Sequence, residues 1–173
     1  NDDSGIELYQ SESNNLSKNK IIYRDAGNGY GIALSSSSDD NIMTENTIEV
    51  SGNTPLAKDC IYLSGSDGNT ISNNILEVCT LFSIRLVSGS DSNIISTNTI
   101  KSTLQFSGIR LTDSDSNTID NNIVKSSTQH GVYLTSSDSN TISNNTIEDH
   151  KIHGIWLSAS TSNVINNNIV NNN

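Results

Sequence analysis

The stretch Gly131-Val132-Tyr133-Leu134-Thr135-Ser136-Ser137-Asp138-Ser139-Asn140-Thr141-Ile142-Ser143-Asn144-Asn145-Thr146-Ile147 holds one unit of a repeat, and its reading decides the fold. Its opening returns 23 residues later as Gly154-Ile155-Trp156-Leu157. Going backwards, the same anchor position is held by Ile109, Ile84, Ile61, Ile32 and Ile6. In chain order the steps between anchors are 26, 29, 23, 25, 23 and 23 residues. Two residues after each anchor stands a leucine: Leu8, Leu34, Leu63, Leu86, Leu111, Leu134 and Leu157. Apolar residues at i and i+2 have the period of a β-strand.

The second half of each unit has the form Asn-x-φ-x-x-Asn-x-φ, with φ aliphatic, and reads as a second strand. One aliphatic column is Leu16, Met43, Ile71, Ile95, Ile119, Ile142 and Ile165; the other is Ile21, Ile48, Leu76, Ile100, Val124, Ile147 and Val170. Beside them run two asparagine columns, one from Asn14 through Asn41, Asn69, Asn93, Asn117 and Asn140 to Asn163. The other runs from Asn19 through Asn46, Asn74, Asn98, Asn122 and Asn145 to Asn168. No single unit can bury its own apolar residues, but stacked units turn each column into a continuous ladder. The ladder asparagines suit corners because Asn tolerates left-handed backbone. Its amide also both donates and accepts, so each can bond to the asparagines above and below. Serine- and aspartate-rich spacers such as Ser136-Ser137-Asp138-Ser139 are turn formers and exclude a helical repeat.

The sequence therefore predicts one all-β domain over residues 1–173. It is a right-handed single-stranded parallel β-helix of seven coils, a fragment without clear caps, and at the usual strand spacing a rod roughly 33 Å long. Spacing overrides composition here. A hydrophobic content of 32%, aromatics at 5% and a net charge of −10 would by themselves point to disorder. Unit length varies only at certain corners, and the segment Ser51–Lys58 is expected to bulge out as a loop.

Nine basic residues against nineteen acidic ones disfavour a nucleic-acid partner. No apolar run is long enough to insert in a membrane. The chain opens on Asn-Asp-Asp without a signal peptide and is expected to be a piece of something longer. Cys60 and Cys79 would lie in neighbouring coils; a disulfide and two free small hydrophobic side chains are equally compatible with the spacing.

The repeat Gly-Ile-x-Leu-(turn)-Asn-x-Ile-x-x-Asn-x-Ile resembles the short β-helix repeats of the carbohydrate-binding-and-sugar-hydrolase type. These occur in periplasmic copper-processing proteins of the nitrous-oxide-reductase system and in surface proteins of methanogenic archaea. The resemblance covers the whole chain. It implies a scaffold shared with polysaccharide lyases, hydrolases and epimerases, whose strand face lines the substrate groove. The Asp-Pro-His motif of the epimerases does not occur in the chain.

Three surface constellations stand out. Between each anchor and its leucine, alternation points one residue outward, giving Glu7, Ala33, Tyr62, Arg85, Arg110, Tyr133 and Trp156. Aromatic faces stack on sugar rings and guanidinium forks bind carboxylate or sulfate in pairs, so Tyr62, Arg85, Arg110, Tyr133 and Trp156 are the candidate carbohydrate-binding residues. The competing reading is that bulky residues simply favour strand surfaces. His130 and His153 share a position in successive units, with His150 nearby; stacked imidazoles can serve as acid or base or hold a transition metal. Asp67, Asp91, Asp115 and Asp138 belong to a carboxylate column that also contains Glu12 and Asp39. Such a column offers calcium as a cofactor, against the reading that each carboxylate only caps a turn.

Three functions follow. A cell-surface or extracellular domain would bind a polysaccharide, especially an acidic one, through the outward stripe. A lyase would use His130, Arg110 and Tyr133 as catalytic candidates with Arg85 beside them; a glycosidase would need a carboxylate pair drawn from Glu7, Asp59 and Asp113. A structural spacer would use the regular rod alone, with open ends that invite end-to-end self-association.

Overall fold

A computed structural model of the chain describes residues 4–23, 29–50 and 59–173. It is an all-β right-handed solenoid in which three parallel sheets of seven strands each run the length of the rod. The first sheet takes the anchor strands: Ile6–Tyr9, Ile32–Ser35, Ile61–Ser64, Ile84–Val87, Ile109–Thr112, His130–Thr135 and His153–Ser158. The second runs from Asn15–Ser17 to Val164–Asn166, the third from Lys20–Tyr23 to Ile169–Asn171. The predicted loop Ser51–Lys58 lies outside the described residues.

The sequence reading placed one strand where the structure has two. The residue before each second-column asparagine adopts left-handed backbone, as in Lys18, Glu45, Asn73, Thr97, Asn121, Asn144 and Asn167, and a strand cannot continue through it. The residue before each first-column asparagine does the same, with Ser92, Ser116, Ser139 and Ser162 as examples. The left-handed residue is therefore the neighbour of the ladder asparagine and not the ladder asparagine itself.

That arrangement frees the asparagine side chain for bonding. Asn98 shows the pattern. Its Oδ1 accepts both the backbone N–H of Asn74, at 2.9 Å, and the Asn74 side-chain amide, at 3.0 Å. Its own Nδ2 donates to the Ile71 carbonyl at 2.8 Å and to Asn122 Oδ1 at 3.0 Å. Most inner ladder asparagines are matched in this way by the coils on either side, as burial requires, while Nδ2 of Asn117 is buried without a partner.

The core is the set of predicted columns, save in the last coil, where Ile165 and Val170 are exposed. Register pairs Ile84 with Ile61 and Ile109, Ile95 with Ile71 and Ile119, and Ile100 with Leu76 and Val124. These side chains are fully buried. Burying one such residue contributes roughly 1.5–3 kcal/mol, and the stacked columns supply what the polar surface cannot. Cys60 and Cys79 form a disulfide. Cys60 precedes the strand Ile61–Ser64 and Cys79 ends the strand Ile75–Cys79 of the same turn, so the bridge closes one coil on itself and does not join neighbouring coils.

Candidate functional site

The first sheet carries the outward stripe in strict register. Tyr62 pairs with Arg85, Arg85 with Arg110, Arg110 with Tyr133, and Tyr133 with Trp156. Strand neighbours lie about 4.8 Å apart, which is within stacking reach.

A second column makes the stripe continuous. Two residues before the anchors of the second to seventh coils stand Tyr30, Asp59, Phe82, Ser107, His130 and His153, at the edge where each coil enters the first sheet. Tyr30 stacks on Tyr62 with ring centres 4.4 Å apart and planes 6° from parallel. The Arg85 guanidinium lies over Tyr62 at 5.6 Å and over Phe82 at 5.3 Å. Arg110 lies over the same Phe82 ring at 5.3 Å and over Tyr133 at 5.0 Å. Tyr133 stacks on Trp156 at 4.4 Å. Phe82 is backed by Phe106 at 5.1 Å. Rings and guanidiniums thus follow one another from Tyr30 to Trp156, each held by its neighbours through aromatic and cation–π contact.

All five predicted carbohydrate-binding residues lie in this stack, and the catalytic candidates meet in it too. His130 is 3% exposed, its ring tilted 5.3 Å from Tyr133 and 4.6 Å from Trp156. Burial, then the neighbouring His153, His150 and Arg110, hold its pKa below the usual imidazole value, so at neutral pH it is uncharged. Burial lowers the pKa of Arg110 as well, with the Arg85 charge adding to it. Sequence reasoning missed Tyr30, Phe82 and Phe106. The fixed offset of two residues before each anchor would have found the first two.

Asp59 is almost wholly buried at this edge, 1% exposed. Its Oδ1 accepts the Phe82 N–H at 3.1 Å, while Oδ2 faces Arg85 at 3.7 Å with no hydrogen-bond partner. Burial pushes its pKa up to about 7, against the opposing pull of Arg85. Glu7 is remote, in the first strand, and Asp113 follows the strand Ile109–Thr112.

His150 is set apart from the other imidazoles by its bonds. It is buried at the corner after the third sheet, where its Nδ1 accepts the Ser127 N–H at 3.0 Å. Its Nε2 therefore carries the hydrogen and donates to the Val124 carbonyl at 3.1 Å. This is the asparagine-ladder pattern executed by an imidazole. The carboxylate column forms a ladder of its own. Oδ1 of Asp67 accepts the Asp91 N–H at 2.8 Å, Asp91 that of Asp115 at 2.7 Å, Asp115 that of Asp138 at 2.7 Å, and Asp138 that of Thr161 at 2.6 Å. Among the described residues, no group of three or more His, Cys, Asp or Glu side chains is placed to hold a metal ion.

Two family descriptions match the chain: "Periplasmic copper-binding protein (NosD)" over residues 56–173 and "Right handed beta helix region" over residues 1–100. The chain belongs to the NosD family of right-handed β-helices. No curated protein matches it in sequence. Among solved structures it is similar to the periplasmic alginate epimerase AlgG, at 16% identity and a TM-score of 0.76, over 94% of this chain and 47% of that one. It is also similar to the Azotobacter vinelandii mannuronan C-5 epimerase A-module, at 14% identity and a TM-score of 0.64, over 97% of this chain and 52% of that one. The Dettilon tailspike protein follows at 16% identity and a TM-score of 0.66, over 82% of this chain and 35% of that one. At these identities the likeness is one of fold, and the chain spans about half or less of each neighbour.

The NosD description names copper, for which thiolate, thioether and imidazole are the fitting donors. Here both cysteines are tied in the disulfide and the one methionine, Met43, is sealed in the core. His130 and His153 hydrogen-bond to each other through Nδ1, and no third donor joins them among the described residues. These donors do not fit a resident copper ion.

Proposed function

We propose that this NosD-family chain is an extracellular or periplasmic β-helix that recognises an acidic polysaccharide along its first sheet. The observation that carries the reading is the unbroken stack from Tyr30 to Trp156, with Arg85 and Arg110 sharing the Phe82 ring. A linear polymer has the same one-dimensional repeat as the sheet and can run along the outward edges of Tyr62, Tyr133 and Trp156, the faces of both tyrosines being taken up by the stack. Its anionic groups would then meet the two guanidinium forks. Two arginines so placed on a chain of net charge −10 favour an anion at that one face. Solved structures of the same fold bear the names alginate epimerase and mannuronan C-5 epimerase, which agrees with a sugar-polymer partner. A disulfide persists in oxidising compartments, which supports the location.

The test is titration with uronic-acid and sulfated oligosaccharides, followed by Trp156 fluorescence. Binding is expected for the native chain. Trp156→Ala and Arg110→Ala are each expected to weaken it by ten-fold or more, the binding of Trp156→Ala being read by calorimetry. Affinity unchanged in both variants sinks the reading.

A lyase is the second reading, favoured by the meeting of neutral His130, Tyr133 and Arg110. In it an arginine neutralises the uronate carboxylate while His130 or Tyr133 takes the proton beside it. Growth of ultraviolet absorbance from an unsaturated uronate would establish this activity, and a flat trace with bound glycan leaves recognition alone.

The end coils carry a further partner. Asn163 and Asn168 accept bonds from the coil beneath, and Asn14 and Asn19 donate to the coil above; among the described residues neither ladder is continued beyond these asparagines. The first coil of a second copy supplies what the last coil of the first lacks, and head-to-tail stacking is the arrangement this favours. Light scattering that reports a strict monomer at all concentrations rules it out.

A further inference from the structure

We propose that Asp59 is an exchangeable counter-ion beneath Arg85. When an anionic sugar group docks on the Arg85–Arg110 pair, Asp59 gives up Arg85 and takes a proton from solvent. The inference rests on the reading of the first sheet as a glycan-binding face and adds which group of the sugar it reads and what binding costs in protons.

The geometry is that of a pair held close but not mated. Asp59 sits two residues before the anchor Ile61, and the backbone there turns its side chain inward under the sheet edge. Only Oδ1 is hydrogen-bonded, to the Phe82 N–H. Oδ2 stands 3.7 Å from the Arg85 guanidinium, beyond hydrogen-bonding distance, and is buried without a partner. Arg85 Nε is likewise buried without a partner. The Arg85 side chain is 31% exposed, flanked by the Tyr62 and Phe82 rings, so its fork is reachable from outside while its inner edge faces Asp59.

Charge explains why the arrangement is poised. Among the described residues, Arg85 from the next strand of the first sheet and Arg110 from the one after are the charged groups that act on Asp59. Two cations over one ring face a single buried anion, and the surplus charge is positive. Burial nevertheless holds Asp59 near its midpoint at neutral pH, because desolvation outweighs the pull of both arginines. A carboxylate or sulfate seated on Arg85 and Arg110 acts twice on it. It takes over the Coulombic pairing, and it adds a negative charge above Asp59. Both effects favour the protonated form. A neutral sugar does neither.

Isothermal titration calorimetry at pH 7.5, run in two buffers of different ionisation enthalpy, reads proton uptake directly. The probes are a uronic-acid hexamer, a sulfated oligosaccharide and a neutral oligosaccharide. For the native chain, uptake of a substantial fraction of one proton is expected with whichever anionic probe binds, and none with the neutral one. The two anionic probes identify carboxylate or sulfate as the source. Asp59→Asn keeps the acceptor for Phe82 N–H; it should bind with no uptake and with an affinity flat from pH 6 to pH 8. The Asp59 carboxyl carbon, followed by NMR in the native chain, should titrate at higher pH with ligand than without. Binding with equal heats in both buffers, or uptake that survives in Asp59→Asn, overturns the inference and leaves the glycan reading standing. No binding to any probe overturns the glycan reading, and the inference falls with it.

Discussion

The Nδ1 atoms of His130 and His153 stand 3.2 Å apart in rings that stack with centres 5.1 Å apart. One imidazole must donate and the other accept, which only a pair with at least one neutral member can do. Both rings also lie against Trp156, at 4.6 Å and 5.9 Å.

Acid should therefore loosen the last coils. The His130 pKa is held below its ordinary value by burial first and neighbouring positive charge second. For a base so depressed, the stability contribution is complete above the unfolded-state value near 6.5 and is lost as pH falls through the folded one. The expected result is a Tm that drops by several degrees between pH 7 and pH 5, with Trp156 emission changing in the same range. In His153→Gln, which removes the facing imidazole, the drop should shrink. A Trp156 signal constant over that range refutes the coupling.

The asparagine ladder should be far less forgiving than its polar side chains suggest. Asn98→Ala removes the acceptor for the Asn74 N–H and side-chain amide and the donor to Ile71 and Asn122. Buried groups left without partners make this a loss of about 3 kcal/mol or more. Thr118→Ala, on the outward face of the next coil, should change stability by less than about 0.5 kcal/mol. Urea unfolding of the two variants checks the contrast.

Sequence periodicity made the scaffold legible because every coil repeats the same burial. Ile84, Leu86, Ile95 and Ile100 occupy the columns their spacing assigns. The three-sheet cross-section was not legible, because the kink depends on left-handed backbone at residues as unlike as Lys18, Thr97 and Asn144, which share no side-chain signature. Alternation alone placed Tyr62, Arg85, Arg110, Tyr133 and Trp156 on one face. It said nothing of Phe82, which approaches from the edge of the sheet and joins the two arginines. The burial of Asp59 beside them depends on the third dimension and left no mark in the spacing.

The disulfide should matter locally. Cys60 and Cys79 are 19 residues apart, and closing a loop of that length restricts the unfolded chain by about 3 kcal/mol. Cys60 is also the residue next to Asp59 and buried in the core. The double variant Cys60→Ser, Cys79→Ser should unfold at lower urea. Its hydrogen exchange should rise first in the strands Ile61–Ser64 and Ile75–Cys79. Uniform exchange along the rod would show that the bridge stabilises no particular coil.

Asp59 should make the protein less stable in mild alkali. Its folded pKa, near 7, lies above the ordinary carboxyl value because burial penalises the charge more than Arg85 relieves it. Between about pH 4 and pH 7 the folded chain holds a proton that the unfolded chain has released, so stability falls as pH rises through that window. Above it the full penalty of the buried carboxylate is present. Asn is isosteric, keeps an acceptor for the Phe82 N–H and has no charge to desolvate. Asp59→Asn is therefore expected to match the native Tm at pH 4.5 and to exceed it by several degrees at pH 8. The opposite order at pH 8 would mean that the ion pair with Arg85 outweighs desolvation, and that Asp59 stays charged when the first sheet is occupied.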